Sequence, residues 1–219
     1  MTYPPEPWYL EGRLYLSVWL TPRREGAVML PPGVRPVTLA GRVLVGTAWA
    51  VYEGDGVLRY REVLRAVLVR RRCRPLATIT GIWVDSEESR AGGRALWGVP
   101  KEPAVFTVTG RDRFSARARA AHGRECAARF RARTRRISLR LPVAFRVAQI
   151  RDGRLRITPV RCRGRVRPAR ASWDLGALGQ GGGPRRPRPL LSLLYEDARM
   201  LFGDVPPHPG PGNRARGDG

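Results

Sequence analysis

The sequence predicts a mainly β protein with a few helices (α+β), its antiparallel strands curled or closed into a barrel-like core. Three observations predict it. Apolar residues recur at a period of two over most of the chain, turn signals separate those runs, and only two stretches show helical spacing. A length of 219 residues makes one domain and leaves little room for a second. Hydrophobic residues at 42%, with six tryptophans, can build a core, which excludes disorder of the whole chain.

Taken in order, Val43 to Tyr52 is β-branched and aromatic and runs into Glu53-Gly54-Asp55-Gly56; Arg59 to Val69 reads as the returning strand. Asp85-Ser86-Glu87-Glu88 opens a helix, with Asp85 placed as the cap and Glu88 three residues on. That helix ends near Trp97-Gly98 and is weakened in the middle by Gly92-Gly93. A turn at His122-Gly123 separates Arg113–Arg119 from Arg129–Arg135, where arginine alternates with Phe114, Ala116, Ala118, Phe130 and Ala132. Past Arg135-Arg136 the apolar parity switches to Ile137, Leu139 and Leu141, which predicts a bulge or corner. Asp152-Gly153 is a hairpin signal between Phe145–Ile150 and Arg154–Val160. After Pro189, Leu190, Leu191, Leu194, Tyr195, Ala198 and Leu201 form one apolar stripe, which predicts a second helix. The strands together form a meander large enough to close on itself. The expected domain is 1–203, with a Gly/Pro-rich flexible linker at about 177–189. A Pro/Gly/Arg tail at 204–219 is expected to be disordered.

Composition excludes several functions. No run of 18 apolar residues exists and the N-terminus carries no signal-peptide pattern, so a soluble cytoplasmic protein without a membrane partner is expected. Cys73, Cys126 and Cys162 are odd in number and widely spaced, neither a disulfide framework nor a zinc pattern; they read as core or inert strand positions. With two histidines, one of them in the tail, no metal site is expected, and no glycine-rich loop ends in Gly-Lys-Ser/Thr. The net charge of +23 would ordinarily point to a polyanion. Yet of 41 basic residues 40 are arginine and one, Lys101, is lysine, and Ala, Gly, Pro and Arg abound as in a GC-rich codon vocabulary. The charge therefore reflects base composition at least as much as a ligand. A lysine can lose its proton and attack a carbonyl, whereas arginine effectively cannot. In such a chain the single lysine is a candidate for amine chemistry.

The neighbourhood of Lys101 is Arg94-Ala95-Leu96-Trp97-Gly98-Val99-Pro100-Lys101-Glu102-Pro103. It resembles the region around the Schiff-base lysine of the acetoacetate decarboxylase family, approximately Gly-Arg-Glu, a short apolar stretch and Pro-Lys-Lys. Pro7-Trp8 with Leu10, Gly12 and Arg13 resembles the family's opening strand, Tyr60-Arg61-Glu62 its Tyr-x-Glu segment, and Val84-Asp85 through Gly93-Arg94 the helix before the lysine. The resemblance covers Tyr3 to Phe106 well and the rest loosely. It implies a β-rich core of the acetoacetate decarboxylase type, a small-molecule keto acid as partner, a homo-oligomer, and no cofactor beyond a covalent lysine imine. An iminium on Lys101 would serve as the electron sink for decarboxylation of a β-keto acid, giving an enamine that is protonated and hydrolysed. Only ~4 in 10,000 amines of pKa near 10.4 are neutral at pH 7, so the lysine must be tuned. A desolvated pocket or a neighbouring cation is the established device in acetoacetate decarboxylase. Arg13 would anchor the substrate carboxylate through its planar fork. Glu62 would hold Arg13 or position a proton, with a structural ion pair as the plainer reading. Trp97 would pack at the helix end or form a pocket wall.

Three positions depart from the family pattern: its second lysine is Glu102, the Glu of Gly-Arg-Glu is Ala95, and a second active-site glutamate falls near Thr47. A carboxylate at ~4 Å would stabilise the ammonium by about 1–4 kcal/mol and oppose activation. Pro103 favours an extended Glu102, and neighbours on an extended chain face opposite ways, so Glu102 is expected to turn from the pocket. Schiff-base chemistry survives these changes; acetoacetate as substrate does not follow. Aldol addition or dehydration through the same iminium, and a binding relative without catalysis, stay open. The stripes Arg129, Arg131, Arg133, Arg135 and Arg161, Arg163, Arg165, Arg167 could follow phosphates, but few aromatics interleave to stack bases, and a solvated β face is the preferred reading over nucleic acid.

Overall fold

A computed structural model describes residues 2–23, 30–133, 139–178 and 188–205. The elements are β1 (Trp8–Pro22), β2 (Arg35–Pro36), β3 (Thr38–Leu39), β4 (Arg42–Tyr52), β5 (Tyr60–Arg71), β6 (Arg74–Val84), α1 (Glu87–Trp97), β7 (Lys101–Thr109), β8 (Arg113–Ala120), β9 (Glu125–Ala132), β10 (Leu139–Arg151), β11 (Arg154–Asp174) and β12 (Leu191–Phe202). The strands pair in the order β10-β6-β7-β8-β9-β11-β12-β1-β4-β5-β2, and further β5–β6 and β10–β11 pairings bend this mainly β sheet into a ring.

The expected hairpins form. β4 pairs β5 and β8 pairs β9, both antiparallel. Asp152 and Gly153 join β10 to β11 at φ 49° and 72°, the two positive angles that a tight two-residue turn requires. Not every pairing is antiparallel: β6 and β7 run parallel, because α1 carries the chain back between them. The corner expected near Arg135-Arg136 and most of the linker and tail lie outside the described residues.

The expected second helix is a strand. Leu191–Phe202 is β12, antiparallel to both β1 and β11. Its register slips by one residue against both neighbours, around Glu196 and Asp197, and Asp197 sits at φ 49°. That inserted residue breaks the period of two, so Leu194, Tyr195 and Ala198 fall at spacings that imitate a helix. Both flanking strands need a partner for their backbone groups, and this demand overrides the local pattern.

The first helix begins one residue later than expected. Ser86 caps α1, its hydroxyl accepting the Ser89 N–H at 3.0 Å, while Asp85 accepts the Arg61 N–H at 2.7 Å. Gly98 closes the helix at φ 68°. The glycine pair is a fitted surface: a Cβ on Gly92 would lie 2.5 Å from Trp8, and one on Gly93 2.8 Å from Cδ of Lys101. Close approach is what offsets the ~1 kcal/mol helix penalty of each glycine.

Strands β4, β5 and β6 are covered on both faces, and alternation sorts their side chains. Val43, Val45, Trp49 and Val51 join Tyr15, Phe114, Phe130 and Trp173 in one dense aromatic core. Ala50 and Tyr52 of β4, Tyr60 of β5 and Ile82 of β6 join Trp8 and Trp97 in a second cluster. The candidate site lies in the second.

Candidate active site

Lys101 is the first residue of β7, delivered by the Gly98 cap and Pro100 and set beside Ile82 of β6. Glu62, on β5, pairs with Val84 of that same strand. The two residues thus lie two strands apart, ~10 Å of backbone separation that the long lysine stem bridges. The side chain fits because Gly93 leaves room for it. Only 5% of Lys101 and 5% of Glu62 is exposed.

The lysine Nζ donates to Ser89 Oγ at 2.7 Å, to the Tyr60 hydroxyl at 3.2 Å and to Glu62 Oε2 at 3.3 Å. The other carboxylate oxygen, Oε1, accepts from the Tyr52 hydroxyl at 3.0 Å. The Tyr60 ring centroid lies 4.8 Å from Nζ and that of Trp8 5.7 Å. Burial pushes the Lys101 amine below its ordinary pKa, and the Glu62 carboxylate opposes that shift. Burial first, and then the Glu62 charge, hold the Tyr52 and Tyr60 phenols well above theirs. The phenols therefore stay protonated while the lysine is eased towards its neutral form.

Beside this cluster is a cavity of about 240 Å³ whose wall includes Lys101, Glu62, Trp97, Tyr52 and Tyr60. Trp97 stands edge-on to Trp8 at 4.8 Å and to Phe202 at 4.6 Å, and its buried indole N–H has no partner among the described residues.

Of the four predicted residues, Lys101, Glu62 and Trp97 come together and Arg13 does not. Alternation turns Arg13 to the opposite face of β1 from Trp8, Leu10, Leu14 and Leu16. It forms a two-pronged pair with Glu53, both contacts at 3.0 Å, and also donates to the Tyr15 hydroxyl. Glu102 faces away from the amine and pairs with Arg124. Ala95 is exposed, and Thr47 is buried away from the cavity, accepting from the Trp19 indole at 2.9 Å. The departures from the family pattern thus fall off the site, although Glu62 keeps one carboxylate against the amine.

Sequence reasoning missed Ser89 and Tyr52 and named Tyr60 only as part of a segment. Ser89, Gly92, Gly93 and Trp97 are the buried face of α1, at helical spacing. A serine among glycines on an otherwise polar helix was the available signal.

Elsewhere, two arginines of the β11 stripe carry acids: Arg165 pairs with Asp197 of β12, and Arg167 with Glu196 of β12 and with Asp112 in the turn before β8. Among the described residues no cluster of His, Cys, Asp and Glu could hold a metal, and no helix is long and apolar enough to cross a membrane. Cys73 is exposed while Cys126 and Cys162 are buried; burial raises the Cys162 thiol to about 11.

Solved structures share this architecture. An acetoacetate decarboxylase from Legionella pneumophila superposes with a TM-score of 0.67 at 16% identity, covering 93% of this chain and 87% of the other. The enduracididine biosynthesis enzyme MppR, complexed with pyruvate, gives 0.59 at 17% identity over 93% and 89% of the chains. An acetoacetate decarboxylase-like enzyme from Sphingomonas wittichii gives 0.53 at 17% identity over 91% and 92%. At such identities these likenesses establish the fold. The sequence itself matches the acetoacetate decarboxylase family model over residues 1–144. The chain belongs to that family. No curated protein matches it.

Proposed function

We propose that the protein is an enzyme that condenses Lys101 with the carbonyl of a small molecule and works through the resulting imine. The observation that carries this reading is the chain's single lysine, buried against a carboxylate and a cavity wall. Its proton has three acceptors in reach, of which Glu62 is the strongest base. Once neutral, Nζ forms a bond to the carbonyl carbon, and loss of water leaves an iminium. With a β-keto acid the bond to the carboxylate breaks, CO₂ departs and its electron pair becomes an enamine. A proton added at carbon and hydrolysis of the iminium release the ketone and restore the lysine. Glu62, with Tyr52 and Tyr60 beside it, is positioned to hold and move those protons.

A second reading uses the same iminium for carbon–carbon bond formation. MppR is known complexed with the condensation product of pyruvate and imidazole 4-carboxaldehyde, at a TM-score of 0.57 and 17% identity. Either way the test is reductive trapping: incubation with a panel of ketones and keto acids plus cyanoborohydride, then peptide mass mapping. A substrate-derived mass on the peptide holding Lys101, absent in Lys101→Met, is the expected result. A folded protein that traps nothing at Lys101 refutes the imine.

A further inference from the structure

We propose that the cavity takes a neutral, apolar ketone or aldehyde with an extended hydrocarbon tail, in place of a small keto acid. This rests on the imine reading of Lys101 and assigns the substrate class it serves. Three features carry it.

The first is charge. Among the described residues no arginine lines the cavity; Lys101 is its one cation, and Glu62 already stands against it. Arg13, the expected carboxylate anchor, is held on the far face of β1 by Glu53. A substrate carboxylate would have to leave water for an apolar wall with no free cation of its own, next to the like charge of Glu62, which is strongly unfavourable. The net charge of +23 draws anions to the outer surface but supplies no partner inside.

The second is shape. Small residues line the β4 side of the cavity at Gly46, Ala48 and Ala50, and Ala66 on β5 and Ala77 on β6 add to them between the larger Leu64 and Ile79. Ala50 lies opposite Glu62 and Gly46 opposite Ala66. The cavity therefore runs four residues along the strands from the amine, ~13 Å. A dry cavity of roughly 150 Å³ accepts benzene, so one of about 240 Å³ has room for roughly ten non-hydrogen atoms.

The third is the mouth. Val143 and Phe145 of β10 line the cavity yet are 38% and 41% exposed. An apolar rim suits a molecule that enters without a charge, its tail lying along the alanines and its carbonyl at Nζ.

The chemistry balances without a carboxylate. The N–C bond forms as water leaves, and Glu62 accepts a proton from the carbon next to the iminium to give the enamine. Return of that proton followed by hydrolysis of the iminium releases the carbonyl compound and restores the lysine.

The test compares a matched pair, 5-methyl-2-hexanone and levulinate, which differ by an isopropyl group in place of a carboxylate. Trapping by cyanoborohydride at near-physiological salt is expected to run at least tenfold faster with the neutral ketone, and faster with 2-nonanone than with acetone. Levulinate trapped as fast or faster overturns the assignment. Gly46→Val places its side chain where a Cβ meets nothing within 4 Å, at the far end of the cavity. It is expected to lower the 2-nonanone to acetone rate ratio at least fivefold; an unchanged ratio overturns the placement of the tail. If no carbonyl is trapped, the imine reading fails on its own. Calorimetry with the unreactive pair 5-methyl-2-hexanol and 4-hydroxypentanoate then decides the cavity's preference, alcohol over acid supporting the assignment and the reverse overturning it.

Discussion

At Lys101 two effects compete. Burial disfavours the ammonium, and Glu62 at 3.3 Å favours it; burial prevails. Imine formation needs the free amine, so the trapping rate of a neutral ketone is expected to rise with pH and level off, with a midpoint below about 10.4. Glu62→Gln removes the influence that raises the lysine, so its midpoint moves to lower pH, while a lower plateau reports loss of the proton carrier. A midpoint that moves upward contradicts this assignment. The same lowered value fixes the sign of the stability effect. The folded protein holds the lysine proton less tightly than the unfolded chain, so the penalty applies below the folded pKa and fades as pH rises towards about 10.4. Removing one partner is a separate matter. Lys101→Met strands Glu62 in an apolar interior, and urea unfolding should show a loss of about 3–5 kcal/mol, most of it recovered when Glu62→Gln is added. Equal stability of the single and double variants would mean that Glu62 is solvated.

At the scale of elements, α1 does two tasks at opposite ends of one face. Its capped start holds Ser89 against the amine, and its glycines let the lysine stem and Trp8 approach. Gly93→Ala should improve the helix by up to ~1 kcal/mol in propensity yet drive a Cβ to within 2.8 Å of the lysine. The expected outcome is a melting temperature changed little and trapping reduced at least tenfold; unimpaired trapping would show that the stem moves freely. Ser86→Ala, which removes the cap, should cost about 1 kcal/mol in chemical denaturation. β12 shows the limit of periodicity. A single extra residue near Asp197 changes a strand's spacing into a helix's, and only its two partner strands reveal which one forms.

For the whole molecule, one layer of strands separates two interiors of different character. Trp49 is fully buried in the aromatic core, and Trp49→Ala should cost about 3–5 kcal/mol in thermal or urea melts. Leu64 borders space that is already empty, so Leu64→Ala should cost clearly less; equal losses would mean that the cavity closes in solution. Leu190 and Leu191, at the entry to β12 and outside the cavity lining, expose apolar side chains, and we propose that a homo-oligomer covers them. Native mass spectrometry should give a multiple of the single-chain mass, and a monomer at micromolar concentration would count against it.

Much of this was legible in the chain. Period-two runs, paired turns and the lone lysine reflect constraints that act within a few residues: pleat geometry, positive-φ turns and the need for an amine that can lose its proton. The resemblance at Tyr60-Arg61-Glu62 pointed to Glu62, and the end of the helix before Lys101 placed Trp97 in the core or at a pocket wall. Tertiary structure alone decided the faces. Alternation puts Arg13 and Thr47 on one side of their strands and the cavity on the other, and which side meets the lysine depends on how the sheet closes. It also decided that β12 is a strand and that Gly93 is a seat for a side chain. These outcomes rest on contacts between residues far apart in sequence, where burial and backbone pairing outweigh local preference.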